Sequence, residues 1–149
     1  MLKNYKIEFD SWALFLFLVI MVPNLIWSII PAPNDILRAI STTKIIDLFT
    51  SISQLLMILS LFFLKSNKYL RLKKTLFVVI VEICCTLYYL SWFAYYKGFI
   101  STAIILGLTI SPCLAFLFFS IDRKNKIAIT LTSLFTFGHL IYAFVNFIN

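Results

Sequence analysis

Charged residues, glycine and histidine are scarce in this sequence, and each shortage excludes a class of protein. Charged residues make up 13% of the chain, about half of the roughly 25% that is usual in soluble domains. Three glycines and one histidine leave no Gly-rich phosphate loop, no His-Glu-x-x-His zinc motif and no bis-histidine haem site. We therefore predict neither a cofactor nor a metal.

The cysteines and serines also lack the spacing that catalysis requires. Cys84 and Cys85 are adjacent and Cys113 lies in another apolar segment, which is not a metal-ligand or redox spacing. No Gly-x-Ser-x-Gly nucleophile motif occurs. We predict that the protein is not an enzyme, with lipid chemistry through Glu82 and His139 as an alternative.

Five long apolar stretches dominate the sequence, in which 62% of the residues are hydrophobic. About 20 apolar residues in a helix cross the hydrocarbon core of a bilayer, and unpaired backbone groups exclude open sheets there. We predict an all-α integral membrane bundle that forms a single transmembrane domain, residues 1–149. The predicted helices cover about 11–30, 45–64, 76–96, 100–121 and 127–147.

The basic residues predict the orientation of these helices. Ten lie in the N-terminal segment and in the second and fourth connections, against three elsewhere (Arg38, Lys44 and Lys97). Because short basic loops stay in the cytoplasm, this places the N-terminus in the cytoplasm and the C-terminus outside. The ten are Lys3, Lys6, Lys65, Lys68, Arg71, Lys73, Lys74, Arg123, Lys124 and Lys126.

The net charge of +7 belongs to these membrane-flanking loops, so we expect no nucleic-acid partner. The loop from Lys65 to Lys74 is a candidate contact for anionic lipid. Aromatic residues are expected to form interfacial belts, with Trp27, Trp92, Tyr95 and Tyr96 at the outer boundary and Trp12 and Tyr69 at the inner one.

Polar residues within the apolar stretches are expected to face inward, because a charge at the bilayer centre costs at least about 2.5 kcal/mol. Helical spacing aligns them into stripes, such as Glu82, Thr86 and Tyr89 on the third helix. They either line a cavity or bond helix to helix. The candidate cavity or proton-relay residues are Asn24, Asp47, Gln54, Glu82, Tyr89, His139 and Asn146.

A proton relay would require Glu82 and His139 to meet. Their depths differ by roughly 8 Å at the helical rise, so direct contact requires tilt or a bridging group. A structural hydrogen bond is the alternative for each residue.

Four small residues on the fourth helix recur at four-residue spacing, which lets another backbone approach closely. They are Ala103, Gly107, Ser111 and Ala115. Packing within the monomer and a homodimer face are the two interpretations. Pro23 and Pro112 are expected to bend the first and fourth helices.

The segment Val22-Pro23-Asn24-Leu25-Ile26-Trp27 resembles the Pro-Asn-x-x-Trp signature of a group of small, uncharacterised bacterial membrane proteins. Similarity extends to Glu82 before the aromatic run 88–96, to Pro112 before Phe118-Phe119, and to Gly138-His139. The charged segment between the first two helices is shorter here than in that group. The resemblance implies a multi-pass architecture in the bacterial cytoplasmic membrane, but no function.

Two functional classes fit these patterns. The first is a non-enzymatic membrane component that acts through protein contacts, of accessory, immunity or stress type. The second is a small transporter or ligand-binding protein with an outward-facing polar cavity. Whether the polar stripes surround a void or pack against each other distinguishes the two.

Overall fold

The computed structural model describes residues 4–68 and 75–148. These residues form five helices that are long and apolar enough to cross a membrane, which confirms the predicted helical architecture. Their ends lie within two residues of the predicted bounds when α5 is counted through its final π turn, Phe144–Ile148. The helices are α1 (Ser11–Ile29), α2 (Lys44–Phe63), α3 (Leu76–Tyr96), α4 (Thr102–Asp122) and α5 (Lys126–Ala143).

Polar side chains fix where four of the helices begin. Each accepts a hydrogen bond from a backbone N–H of the first turn, a group that has no partner within the helix itself. Asp10 accepts from the N–H groups of Trp12 at 2.9 Å and Ala13 at 3.2 Å. The other three capping residues are Thr75, Ser101 and Asn125.

Helix α4 lies at the centre of the bundle. Just over half of it is buried (56%), whereas the figure for α1 is 22%. It packs against α3 on one side and α5 on the other, α2 packs against α5, and α1 contacts both α2 and α3. The helices thus form a cycle of neighbours in which α1 makes the fewest contacts with the other helices.

A short antiparallel sheet joins the N-terminal segment to the end of α2. Strand β1 (Tyr5–Ile7) pairs with β2 (Leu64–Ser66) in the register Tyr5 to Ser66. This strand pairing was not predicted from the sequence, which indicated helices only. Its physical reason is that the chain leaves α2 in an extended conformation and its backbone groups need partners.

A buried ion pair lies beside this sheet. The Arg123 guanidinium is 3.2 Å from the Asp10 carboxylate and 4.5 Å from the centre of the Phe119 ring. Arg123 is 4% exposed. Burial lowers the pKa of Arg123, and the charge of Asp10 opposes that shift. This pair fastens the start of α1 to the end of α4.

Buried Asn125 extends the same set of contacts to α2. Its amide nitrogen donates to the carbonyl oxygens of Ser60 at 3.1 Å and Leu64 at 2.7 Å, while its oxygen caps α5. On the surface, Lys65 pairs with Glu8. The predicted anionic-lipid contact at Lys65–Lys74 falls largely on residues 69–74, outside the described residues.

At the opposite end, Asp35 joins the connection between α1 and α2 to the ends of α1 and α3 through hydrogen bonds. Its carboxylate accepts hydrogen bonds from the Trp27 indole, the Tyr95 hydroxyl and the Arg38 guanidinium, all at 2.9 Å. Arg38 also donates to the Trp27 carbonyl at 2.6 Å. A single carboxylate therefore organises this end of the bundle.

These partners show that the outer aromatic belt was predicted wrongly in part. Trp92 is 5% exposed and Tyr95 is 1% exposed, so both belong to the core and not to the lipid boundary. Their polar tips lie among other residues of the protein, and Trp92 packs edge-on against Tyr95. Trp12 is exposed as expected, and Tyr69 lies outside the described residues.

Replacing Asp35 with Asn is expected to destabilise the protein at neutral pH by about 1–3 kcal/mol, because charge-assisted hydrogen bonds are lost. Burial raises the pKa of Asp35, but the hydrogen bonds from Trp27, Tyr95 and Arg38 together lower it by more than burial raises it. The pKa of Asp35 in the folded protein is therefore below its ordinary value. The stabilisation is therefore complete above the unfolded-state pKa of about 3.9 and is lost as pH falls through the lower folded-state pKa.

The measurement is a pair of thermal melts in mild detergent across pH 3 to 7. The difference in Tm between the natural protein and D35N should be constant above about pH 5 and shrink towards pH 3. Equal melting temperatures at pH 7 would contradict the role assigned to this carboxylate.

Candidate functional site

Five of the seven predicted polar residues lie in three places. Asn24 and His139 line a half-open pocket between α1, α3, α4 and α5, which we call the inner cavity. Glu82 lines a groove on the outside of the bundle between α1 and α3, which we call the α1–α3 groove. Asp47 and Asn146 lie where α2 meets the end of α5.

The inner cavity has a volume of about 180 Å³. Asn24 reaches across its edge, where its amide nitrogen donates to the Tyr88 hydroxyl at 2.7 Å and to the Ile20 carbonyl at 3.1 Å. Aromatic rings make up much of the wall. The lining residues are Asn24, Trp27, Leu37, Trp92, Leu108, Thr109, His139, Tyr142, Ala143 and Phe147.

His139 is held in place by stacking. Its ring lies nearly parallel to that of Phe135, with the centres 5.2 Å apart, and to that of Tyr142, at 6.2 Å. The residue is half-buried and faces the inner cavity. Phe135 lies four residues before His139 and Tyr142 three residues after it, so both rings lie on the same face of α5 and fix the plane of the imidazole between them.

Glu82 faces the outside of the bundle, so its predicted inward orientation is wrong. It is exposed in a groove of about 380 Å³ whose other walls are almost entirely apolar. The inward face of α3 carries no carboxylate and is formed by Val81, Cys84, Tyr88, Trp92 and Tyr95. This face packs against α4, so the Glu82 stripe points outward.

The structure therefore does not bring Glu82 and His139 together. The two residues line separate spaces that share no lining residue. A direct relay between them has no geometric basis. Thr86, the next polar residue of the stripe, donates to the Glu82 carbonyl and lines the same groove.

Tyr89 stabilises a backbone group that Pro23 exposes. Pro23 has no N–H, so the carbonyl of Val19, four residues earlier in α1, loses its helical partner. The Tyr89 hydroxyl donates to this Val19 carbonyl at 2.7 Å. Tyr89, a predicted cavity residue, therefore replaces the missing helical hydrogen bond from the neighbouring helix.

Asn146 ties the C-terminal turn to the start of α2. Its side-chain oxygen accepts from the Thr42 N–H at 2.9 Å, and its nitrogen donates to the Thr43 hydroxyl and the Tyr142 carbonyl at 2.9 Å. The Thr43 hydroxyl in turn donates to Asp47 at 2.9 Å. These polar groups satisfy one another.

Gln54 belongs to none of the three places. It is half-buried on α2, and its side chain makes no hydrogen bond within the part of the chain that the structure describes. The structure assigns it no role in a cavity.

The small-residue stripe of α4 packs mainly inside the protein. A Cβ at Gly107 would collide with Ser91 of α3, and Ser111 and Ala115 are buried. Ala103 alone of the four is exposed. This geometry favours packing within the monomer over a homodimer face.

Sequence reasoning missed Trp92 as a residue that lines the inner cavity. It was interpreted as a belt residue because it lies near the end of an apolar run. Its spacing from Tyr88 and Tyr95, by four and three residues, was the available signal, since this places all three on one helical face. That face is the buried one.

Replacing Tyr89 with Phe should destabilise the folded protein by about 1 kcal/mol, because the Val19 carbonyl then has no donor. Replacing Pro23 with Ala supplies an N–H to the same carbonyl. In the Pro23→Ala background, Tyr89→Phe should therefore cost much less. Thermal melts of the four proteins of this double-mutant cycle measure the coupling, and additive effects would exclude the proposed link.

Comparison of the chain with protein-family models, with curated proteins and with solved structures finds no match.

Proposed function

We propose that this protein is a non-enzymatic multi-pass component of the bacterial cytoplasmic membrane that binds another membrane protein through the α1–α3 groove. The observation that carries the proposal is a carboxylate, Glu82, exposed in an otherwise apolar membrane-facing groove. An ionisable residue inside the membrane marks a functional site by default. Membrane helices associate through close packing and polar contacts of this kind.

The groove has the length that a partner helix needs. Val19, Cys85 and Thr86 line both the space around Glu82 and a shallower surface that continues to Phe93. From Val78 to Phe93 the groove follows α3 for about 22 Å at the helical rise. This is most of the hydrocarbon thickness of about 30 Å.

Charge complementarity suggests what the partner presents. Among the described residues no Lys or Arg pairs with Glu82. A partner helix with a Lys, an Arg or a hydroxyl at the depth of Glu82 would satisfy the carboxylate. We estimate this depth as about 10 Å from the cytoplasmic end of α3.

The remaining polar groups favour a contact role over transport. Asn24 bonds to Tyr88, Tyr89 to the Val19 carbonyl, and Asn146 to the start of α2. Three of the seven predicted cavity residues thus hold helices together. An open polar pathway would need these groups to face water.

A photo-crosslinking amino acid at Phe15, in the groove, should give a discrete adduct with one membrane protein when cells are irradiated. The same probe at Leu87, which is equally exposed on α3 but does not line the groove, is the matched control. Glu82→Gln should weaken the Phe15 adduct about tenfold, the loss of about 1.4 kcal/mol. Asp47→Asn, a carboxylate change on the far helix α2, should leave it unchanged.

Adducts with lipid alone, or equal protein adducts from both probe positions, would argue against a specific partner. Thermal melts of each variant show whether a lost adduct reflects a lost fold.

We also propose that the N-terminus lies in the cytoplasm and the C-terminus outside. The contacts between Glu8 and Lys65 and between Asp10 and Arg123 group the N-terminal segment with the second and fourth connections. Those three segments carry ten of the thirteen basic residues, which supports a cytoplasmic position. The bacterial cytoplasmic membrane as its location rests on the resemblance to small bacterial membrane proteins and is likewise a proposal.

Reporter fusions test the orientation. Alkaline phosphatase, which is active only outside the cytoplasm, should be active when fused after Asn149 and inactive when fused after Lys124. The reverse pattern would overturn the orientation while leaving the helical bundle intact.

A further inference from the structure

Four polar residues share one face of α2 that lies outside the core. Lys44, Asp47, Ser51 and Gln54 follow the helix in steps of three, four and three residues, which places them on one side of it. The buried face of α2, which packs against α5, contains none of them. Lys44 and Ser51 are exposed, and Asp47 and Gln54 are half-buried. We call these four residues the α2 polar face.

Gln54 is a polar group without a partner in an apolar region. It lies near the middle of α2, a helix long enough to cross the membrane. Its side chain makes no hydrogen bond within residues 4–68 and 75–148, and its amide atoms are not enclosed by the bundle. The Ser51 hydroxyl likewise makes no hydrogen bond with those residues. Lipid tails supply neither donor nor acceptor, so both groups need a polar partner from another molecule.

A second copy of this chain supplies a matching group. A carboxamide pairs with an identical carboxamide, because it carries two N–H donors and one oxygen acceptor. Across a two-fold axis along the membrane normal, Gln54 of each copy donates to Gln54 of the other. Two copies inserted in the same orientation have parallel α2 helices. Alternating steps of three and four residues are the spacing with which parallel helices pack against each other.

The charged end of the α2 polar face is also complementary to itself. Lys44 forms no ion pair with a carboxylate in the part of the chain that the structure describes. The Asp47 carboxylate accepts from the Thr43 hydroxyl at 2.9 Å, which leaves it capacity for further donors. In a parallel pair, Lys44 of each copy lies beside Asp47 of the other, so opposite charges meet across the axis.

We propose that the α2 polar face binds a second copy of this protein and forms a parallel, two-fold symmetric dimer. Gln54 pairs with Gln54 in the hydrocarbon region, and Lys44 pairs with Asp47 at its edge. The small-residue stripe of α4 takes no part, since it packs mainly within the monomer. The α2 polar face shares no residue with the α1–α3 groove, so the test of the dimer is independent of the proposed partner.

Disulfide crosslinking of the full chain in its native membrane locates the interface. Ser51→Cys should form a covalent homodimer when copper phenanthroline oxidises the thiols, because the two cysteines face each other across the axis. Leu56→Cys is the matched control and should form none. Leu56 is also exposed on α2, but it lies about 140° around the helix from Ser51. The natural protein, which has three cysteines of its own, gives the background.

Energy transfer between labelled copies in lipid vesicles, measured over a range of protein-to-lipid ratios, gives the dissociation constant of the dimer. Gln54→Leu should raise this constant about tenfold, because both symmetric hydrogen bonds are lost. Gln54→Asn keeps a carboxamide and should raise it less. Lys44→Glu and Asp47→Lys should each weaken the dimer, and the two changes together should restore it because the charges are exchanged.

Three results would overturn the proposal. They are equal crosslinking from the two cysteine positions, an unchanged dissociation constant in Gln54→Leu, and a Ser51→Cys adduct with a different protein in place of a second copy. Thermal melts show whether each variant folds. Should Gln54→Leu not fold, the comparison of Ser51→Cys with Leu56→Cys decides alone, because Ser51→Cys exchanges only a hydroxyl for a thiol on an exposed residue.

Discussion

Water is absent from the hydrocarbon region, so each backbone and side-chain polar group there must find its partner within the protein. This constraint accounts for the contacts around Pro23. Pro23 creates an unpaired carbonyl in α1, and a tyrosine of α3 supplies the donor. Asn24, the residue after Pro23, donates a hydrogen bond to Tyr88, the tyrosine beside Tyr89 on α3. The defect in one helix thus determines which side chains its neighbour must present.

The two ends of the bundle are held by different kinds of interaction. At the N-terminal end, a buried ion pair and a buried asparagine join four chain segments through charge and backbone hydrogen bonds. At the opposite end, the Asp35 carboxylate collects aromatic donors and one arginine. Between these ends the helices pack mainly through apolar and small side chains, with Gly107 allowing α3 and α4 to approach closely.

The helices could be predicted from the sequence because length and hydropathy determine them almost alone. Helix rotation could not be predicted, and it decides the sites. The Glu82 stripe was recognised as one face, yet it was assigned to the interior on the assumption that polarity alone sets direction. The opposite face of α3, which includes Tyr88, Trp92 and Tyr95, is the buried one and carries no carboxylate. Contacts between distant segments, such as that of Asp10 with Arg123, leave no local pattern in the sequence.

The sheet and the ion pair near the N-terminus constrain the order in which the molecule is assembled during synthesis. Strand β1 cannot pair with β2 until the ribosome has synthesised Ser66, and Asp10 cannot form its ion pair until Arg123 has been synthesised. Helix α1 therefore acquires its cap, and then its bonds to Tyr88 and Tyr89 of α3, before Arg123 is made. The ion pair between the start of α1 and the end of α4 is the later contact, because it requires α4 to be complete.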